Sequence, residues 1–176
     1  MVKGVRDELP VILDAGAGFG DPVHVMHTVE VLEDAGVTAV HIEDQFYPKR
    51  VTYQRGLEHL VPIEEYQQRI AYALKGRRSK DFLIIARNDE YRDAVGGTRE
   101  ASVKRAHAAM EVGADVIMPQ GCKTVEDLRY FRKQVKDVPL CTTPRPGSYE
   151  VPELRDAGWQ IVIHPWITLR AGLMAV

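Results

Sequence analysis

Six times along the chain, a short apolar, β-branched run ends in a polar or glycine-bearing turn and gives way to an amphipathic stretch. The runs are Pro10–Ala15, Val37–Asp44, Phe82–Asp89, Asp115–Gly121, Pro139–Pro144 and Gln160–Pro165. Helical patterns occupy 22–36, 62–78, 98–112, 124–136 and 149–157, and a last one begins near Trp166. Strands that are apolar on both faces and alternate with helices predict a parallel sheet covered by helices. The joints repeat as well. Gly36, Gly113 and Gly158 each close an apolar helical run just before a strand, where a left-handed C-cap glycine belongs. Pro62 suits a first helical turn, with Glu64 and Glu65 on the positive end of the helix dipole. Thr98 suits an N-cap, although Ala101 stands where a capping box would place Glu or Gln.

Two architectures satisfy this alternation: a doubly wound open sheet and a (β/α)8 barrel. Six units suit the open sheet, since a complete barrel needs eight units and about 250 residues, more than the 176 here. The position of the chemistry favours the barrel. Asp14, Glu43 and Asp44, Arg87 and Asp89, Gln120, Thr142 and Thr143, and His164 stand at the C-terminal ends of the runs. Barrels gather many strand ends on one centre, whereas an open sheet concentrates its site at one switch point. The predicted fold is α/β, a (β/α)8 TIM barrel with six of its eight units in this chain. At about one domain per 150 residues, residues 1–176 are expected to form one partial barrel domain.

Charge and apolar content narrow the function classes. With 23 basic and 25 acidic residues the net charge is −2, which offers nucleic acid no electrostatic footprint. No apolar run approaches the roughly 20 residues of a membrane helix, and no signal peptide is evident. Cys122 and Cys141 are too few and too far apart for a disulfide framework or a thiolate zinc site. The expectation is a soluble, cytoplasmic protein with no nucleic-acid or membrane partner.

Asp14 opens Asp14-Ala15-Gly16-Ala17-Gly18-Phe19-Gly20 at the end of a buried run. The third glycine falls one position early for a dinucleotide loop. Glu43 and Asp44, with Asp14 beside them, suit a hard divalent cation such as Mg2+, with Mn2+ as the alternative ion; a salt bridge to a neighbouring element is the other reading. Successive strand residues point to opposite faces, so only one of Glu43 and Asp44 faces a barrel centre. The segment from Gln45 to His59 is long for a βα loop and carries Lys49, Arg50, Arg55 and His59. Either an anionic substrate or plain solvation accounts for those charges. Arg87 ends a buried run, where a guanidinium needs a partner such as a carboxylate or phosphate. His164 before Pro165 reads as a ligand or a satisfied histidine, with the satisfied histidine favoured.

Together these residues resemble the isocitrate lyase/phosphoenolpyruvate mutase superfamily. The resemblance rests on Asp14 to Gly20, on Ile42-Glu43-Asp44-Gln45 with Pro48-Lys49-Arg50, on Ile84 to Asp89 and on Leu169-Arg170-Ala171. It runs from about residue 10 to the end. It implies a barrel, an oligomer with an exchanged last helix, Mg2+, and a small anionic 2-oxo or 2-hydroxy acid handled through an enolate. It makes Asp14 a direct metal ligand and Glu43 the acid that holds metal-bound water. Arg87 then binds the substrate carboxylate, and Lys49 lies in the catalytic loop. Gln120, Thr142, Thr143 and Arg170 align with substrate contacts.

The chain also departs from the family. Gly16 replaces the second aspartate of D-x-D, and Gln120 replaces the lyases' usual glutamate. The loop reads Lys49-Arg50-Val51-Thr52-Tyr53, without the lyases' cysteine, which leaves Lys49 or Tyr53 as proton source. The alignment places the first residues at the family's third strand and the last within its final helix. The expected function is a Mg2+-dependent carbon–carbon lyase or decarboxylase acting on a small dicarboxylic acid. The alternatives are a phosphonopyruvate-type mutase or hydrolase, and a non-catalytic binding or assembly subunit.

Overall fold

Strand order follows chain order throughout the sheet. The computed structural model describes residues 9–48, 59–145 and 147–175. In it β1 (Ile12–Asp14), β2 (Ala39–Glu43), β3 (Leu83–Asn88) and β4 (Val116–Pro119) form one parallel sheet in the order β1-β2-β3-β4. The parallel pair β5 (Cys141–Thr142) and β6 (Ile161–Val162) continues it through a bridge from Ile117 to Leu140. Between and after the strands lie α1 (Pro22–Asp34), α2 (Ile63–Gly76), α3 (Arg99–Glu111), α4 (Val125–Gln134), α5 (Val151–Asp156) and α6 (Ile167–Met174). All six strand–helix units are where the periodicity places them. The strands are shorter than the apolar runs, because each run includes turn residues that pair with no neighbour.

Two separate apolar layers settle the architecture. Val40, Ile42, Ile84, Ala86, Ile117 and Leu140 face a layer shared with the helices, including Val29, Tyr66, Ile70, Ala106, Leu128 and Phe131. The opposite face of the strands carries Ala39, Ile85, Val116, Met118 and Cys141, packed with Leu83, Ile161 and Ile163 and with no helix residue. Helices therefore cover one face only, and the other is the inside of a barrel wall; a doubly wound sheet would carry helices on both.

Local signals hold the helices in place. Asp21 caps α1 by accepting the His24 amide at 3.0 Å. Thr124 and Asp127 form a capping box on α4, whereas Thr98 caps α3 without one, as Ala101 requires. Gly36, Gly113 and Gly158 adopt φ of 85°, 97° and 78° just beyond their helices. At Gly76 a Cβ would stand 2.3 Å from the Met26 carbonyl oxygen, so α1 and α2 meet there at backbone distance. Cys122 and Cys141 are free and buried, Trp159 is buried, and Trp166 and His164 are exposed. Among the described residues no helix is long and apolar enough to cross a membrane.

Candidate active site

Side-chain alternation sends residues 12 and 14 of β1, 39, 41 and 43 of β2, and 83, 85 and 87 of β3 into the barrel, in the register Asp14↔His41 and Glu43↔Arg87. Beyond the strand ends the same face carries Asp89, Gln120 and Thr143. At this face lies a cavity of about 600 Å³ lined by Asp14, His41, Arg87, Arg92, Gln120 and Thr143 among others.

Arg87 stands at its centre. Its Nε and Nη2 donate to the two oxygens of Asp89, both at 2.9 Å, a bidentate fork. Nη2 is also 3.2 Å from Glu43 Oε2, and Nη1 is 3.9 Å from Asp14 Oδ2. Burial works against the guanidinium charge, but the carboxylates of Asp89, Glu43 and Asp14 outweigh it and hold Arg87 firmly protonated. Burial likewise pushes Asp89 upward, and the Arg87 charge reverses this, leaving its carboxyl below the usual range. Asp89 also accepts from Arg92 Nη1 at 3.1 Å and from the Gln45 amide.

Asp14 differs from its neighbours in exposure. Its side chain is 53% exposed, against none for Glu43. One oxygen accepts the Gly16 amide at 2.9 Å and lies 3.5 Å from His41 Nδ1, and the other lies on the Arg87 side. On the far wall Thr143 Oγ1 donates to Gln120 Oε1 at 2.7 Å. The buried Gln120 Nε2 has no hydrogen-bond partner among the described residues. Gly121 follows with φ 99°, and a Cβ there would lie 2.2 Å from the Tyr91 carbonyl oxygen, so the loop carrying Arg92 presses against it.

Glu43 and Asp44 do diverge: Glu43 meets Arg87 inside, and Asp44 turns to the helix layer. There burial, helped by the charge of Asp89 and opposed by that of Arg105, raises the Asp44 carboxyl to about 7. Behind β2, the buried Arg69 donates to the Glu43 and Gln45 carbonyls at 2.7 and 2.8 Å. Residues 44–46 and 59–61 run antiparallel, with Val61 N donating to Asp44 O and Phe46 N to His59 O.

Of the residues singled out in the sequence, Asp14, Glu43, Arg87, Gln120 and Thr143 meet at one place. Thr142 borders the same cavity with its hydroxyl 3.2 Å from Tyr149 OH. Arg170 lies apart on α6, beside an adjoining pocket of about 420 Å³ with Trp166 and Met174. Lys49 and Tyr53 lie outside the described residues. Asp89, Arg92 and His41 join the site without having been chosen for it. Asp89 was visible as a strand-end acid two residues from Arg87, the spacing that returns to the same face.

Comparison with known proteins places the sequence and its fold among relatives. The chain is 39% identical over 170 residues to the 2-methylisocitrate lyase of Aeropyrum pernix, covering 95% of this chain and 53% of that protein. It thus spans about half the length of that relative. Oxaloacetate acetylhydrolase in complex with 3,3-difluorooxalacetate superposes with a TM-score of 0.85 at 29% identity, over 99% of this chain and 63% of that one. A phosphonopyruvate hydrolase complexed with oxalate and Mg2+ does so with a TM-score of 0.83 at 32% identity, over 99% and 61%. Residues 1–176 match the phosphoenolpyruvate phosphomutase family in full. With the barrel wall, the strand-end acids and the buried arginine all in place, the chain belongs to the phosphoenolpyruvate phosphomutase family, within the isocitrate lyase superfamily.

Proposed function

We propose that the protein is a Mg2+-assisted carbon–carbon lyase or decarboxylase for a small 2-hydroxy or 2-oxo dicarboxylic acid, working through an enolate. The observation that carries this reading is a strand-end cavity lined by Arg87 and the Asp14 carboxylate, with the buried Glu43 carboxylate 3.2 Å behind Arg87. A guanidinium for a substrate carboxylate and hard oxygen donors for a cation lie side by side.

The donor set fits Mg2+. Among the described residues no cluster of three His, Cys, Asp or Glu side chains is arranged to hold a metal, which disfavours an ion that needs an all-protein cage. Mg2+ takes one or two carboxylates and fills its octahedron with water and substrate oxygens. Asp14, half-exposed on the cavity wall, would hold it directly, with Glu43 holding water in its shell; Mn2+ would fit the same oxygens. When bound, the ion supplies a Lewis acid for negative charge developing on the oxo oxygen. Arg87 binds and orients the carboxylate end. Gln120, its carbonyl engaged by Thr143, offers an N–H to a substrate acceptor. Lys49 or Tyr53 delivers the proton, and with no loop cysteine, loss of CO2 from an oxaloacetate-like acid asks least of that donor. Assembly belongs to this reading too: α6 shows Ile167, Leu169, Leu173 and Met174 to solvent, an apolar face that a second copy would cover.

The likeness to phosphonopyruvate hydrolase favours P–C cleavage as the second reading. Turnover of oxaloacetate, 2-methylisocitrate and phosphonopyruvate, each with Mg2+ and with excess chelator, separates them. Pyruvate or another oxo acid released from a C–C substrate, only with Mg2+, is the expected result. Phosphate released from phosphonopyruvate alone would install the second reading. Binding without turnover of any of the three would leave a binding subunit.

A further inference from the structure

We propose that Asp44 and Arg105, which stand behind the strand-end cavity and do not line it, are positioning residues for Arg87. Arg105 sits on the buried face of α3, and its guanidinium reaches three separate segments. Nε donates to Glu90 Oε2 at 2.7 Å in the loop after β3. Nη1 donates to the Val61 carbonyl at 2.9 Å, just ahead of α2, and lies 3.4 Å from Asp44 Oδ2 at the end of β2. An arginine buried in a helix–sheet layer must be paired, and this one is paired with groups that must keep their mutual places for the contacts to persist.

The consequence lies one contact further on. The other oxygen of Asp44, Oδ1, accepts the backbone N–H of Asp89 at 2.9 Å. Asp89 is the residue whose carboxylate grips Arg87 with both oxygens. The chain Arg105–Asp44–Asp89–Arg87 therefore runs from a helix outside the barrel to the cation inside it, and each link is a hydrogen bond or ion pair involving a buried group. Fixing the Asp89 backbone fixes its carboxylate, and a bidentate carboxylate leaves the guanidinium plane little freedom. Supporting residues of this kind decide whether a site is held to the fraction of an ångström that binding and catalysis need. Asp44 would thus orient the substrate-binding arginine without touching substrate, an inference that rests on the reading of the cavity as the substrate site.

The first test needs no ligand. The side-chain Nε–H signal of Arg87 in a nitrogen-15 NMR spectrum can be assigned by its loss in Arg87→Lys, and its exchange with water measured. In Asp44→Leu, which fills the space but removes the acceptor, exchange should quicken at least about tenfold while the amide spectrum stays dispersed. Asp44→Asn, which keeps an acceptor for the Asp89 amide, should resemble the unmodified protein. Unchanged exchange in a folded Asp44→Leu would overturn the proposal, since a role confined to stability would lower the melting temperature alone. Should Asp44→Leu not fold, Arg105→Met releases Asp44 from its other side, and unchanged Arg87 exchange there overturns it equally. Oxalate affinity in Mg2+ provides the functional arm, with a loss of about tenfold expected in Asp44→Leu. If the unmodified protein binds no oxalate, the substrate-site reading fails, and the NMR result alone decides the positioning role.

Discussion

Replacing Arg87 by Ala should lower the melting temperature by about 10 °C and remove most of the activity. The two effects have one origin. Asp89 and Glu43 are completely buried, and Arg87 is the cation that lies against both. Deleting one partner of a buried ion pair costs about 3–5 kcal/mol, because buried charge is left short of counter-charge; Arg92 and Gln45 still meet Asp89, which keeps the loss toward the lower end. For a chain of this size each kcal/mol shifts the transition by about 2–4 °C. The loss should depend on pH. With Arg87 present the Asp89 carboxyl is held below its ordinary range, so its stabilisation is present above the unfolded-state value and fades as pH falls. The deficit should therefore be largest near neutrality and shrink as pH is lowered, which melts at several pH values will show. For turnover, a fall in kcat/KM of less than about tenfold, roughly 1.4 kcal/mol, would contradict the assignment of Arg87 to the substrate carboxylate.

Asp14→Ala should separate metal binding from stability. Half of the Asp14 side chain is exposed, and its contact to Arg87 is long at 3.9 Å, so melting should move by no more than a surface substitution does. Oxalate affinity measured in Mg2+ should fall by about 100-fold, since even residues outside a metal's inner shell cost about 10–100-fold when removed. Affinity measured in chelator should hardly change. If Mg2+ still strengthens oxalate binding to Asp14→Ala as it does to the unmodified protein, Asp14 is not a ligand. Placing a carboxylate at the neighbouring family position, Gly16→Asp, is geometrically open: no atom of the described residues lies within 4 Å of a Cβ there, although φ of 52° carries a backbone cost.

The reach of the sequence can be judged from these same residues. Asp14, Glu43, Arg87, Gln120 and Thr143 were legible because each stands at the polar end of an apolar run, and parallel strands put all such ends on one rim. Period-two alternation also separates Glu43 from Asp44. What alternation cannot supply is the partner of a buried charge. Arg105 reads as one more basic residue in an amphipathic helix, and its pairing with Asp44 exists only once α3 lies against the ends of β2 and β3. Arg92 is similar: it enters the cavity because the loop after β3 folds over Gly121. Arg170, which the family resemblance alone singles out, stands on α6 beside the adjoining pocket. The choice between barrel and open sheet was likewise undecidable by counting units. It follows from the face on which the helices lie, a property of packing that apolar-on-both-sides strands do not encode.

Calorimetric titration of the protein with oxalate, once in Mg2+ and once in excess chelator, shows whether these strand ends hold an oxo acid through a metal. Oxalate presents two carboxylates in the spacing of an enolate-like oxo acid, suited to Arg87 at one end and a metal held by Asp14 and Glu43 at the other. The expected result is saturable binding in Mg2+ that weakens at least about tenfold, about 1.4 kcal/mol, when the ion is removed. Equal affinity in the two conditions, or no binding in either, would contradict a metal-assisted oxo-acid site at the ends of these strands.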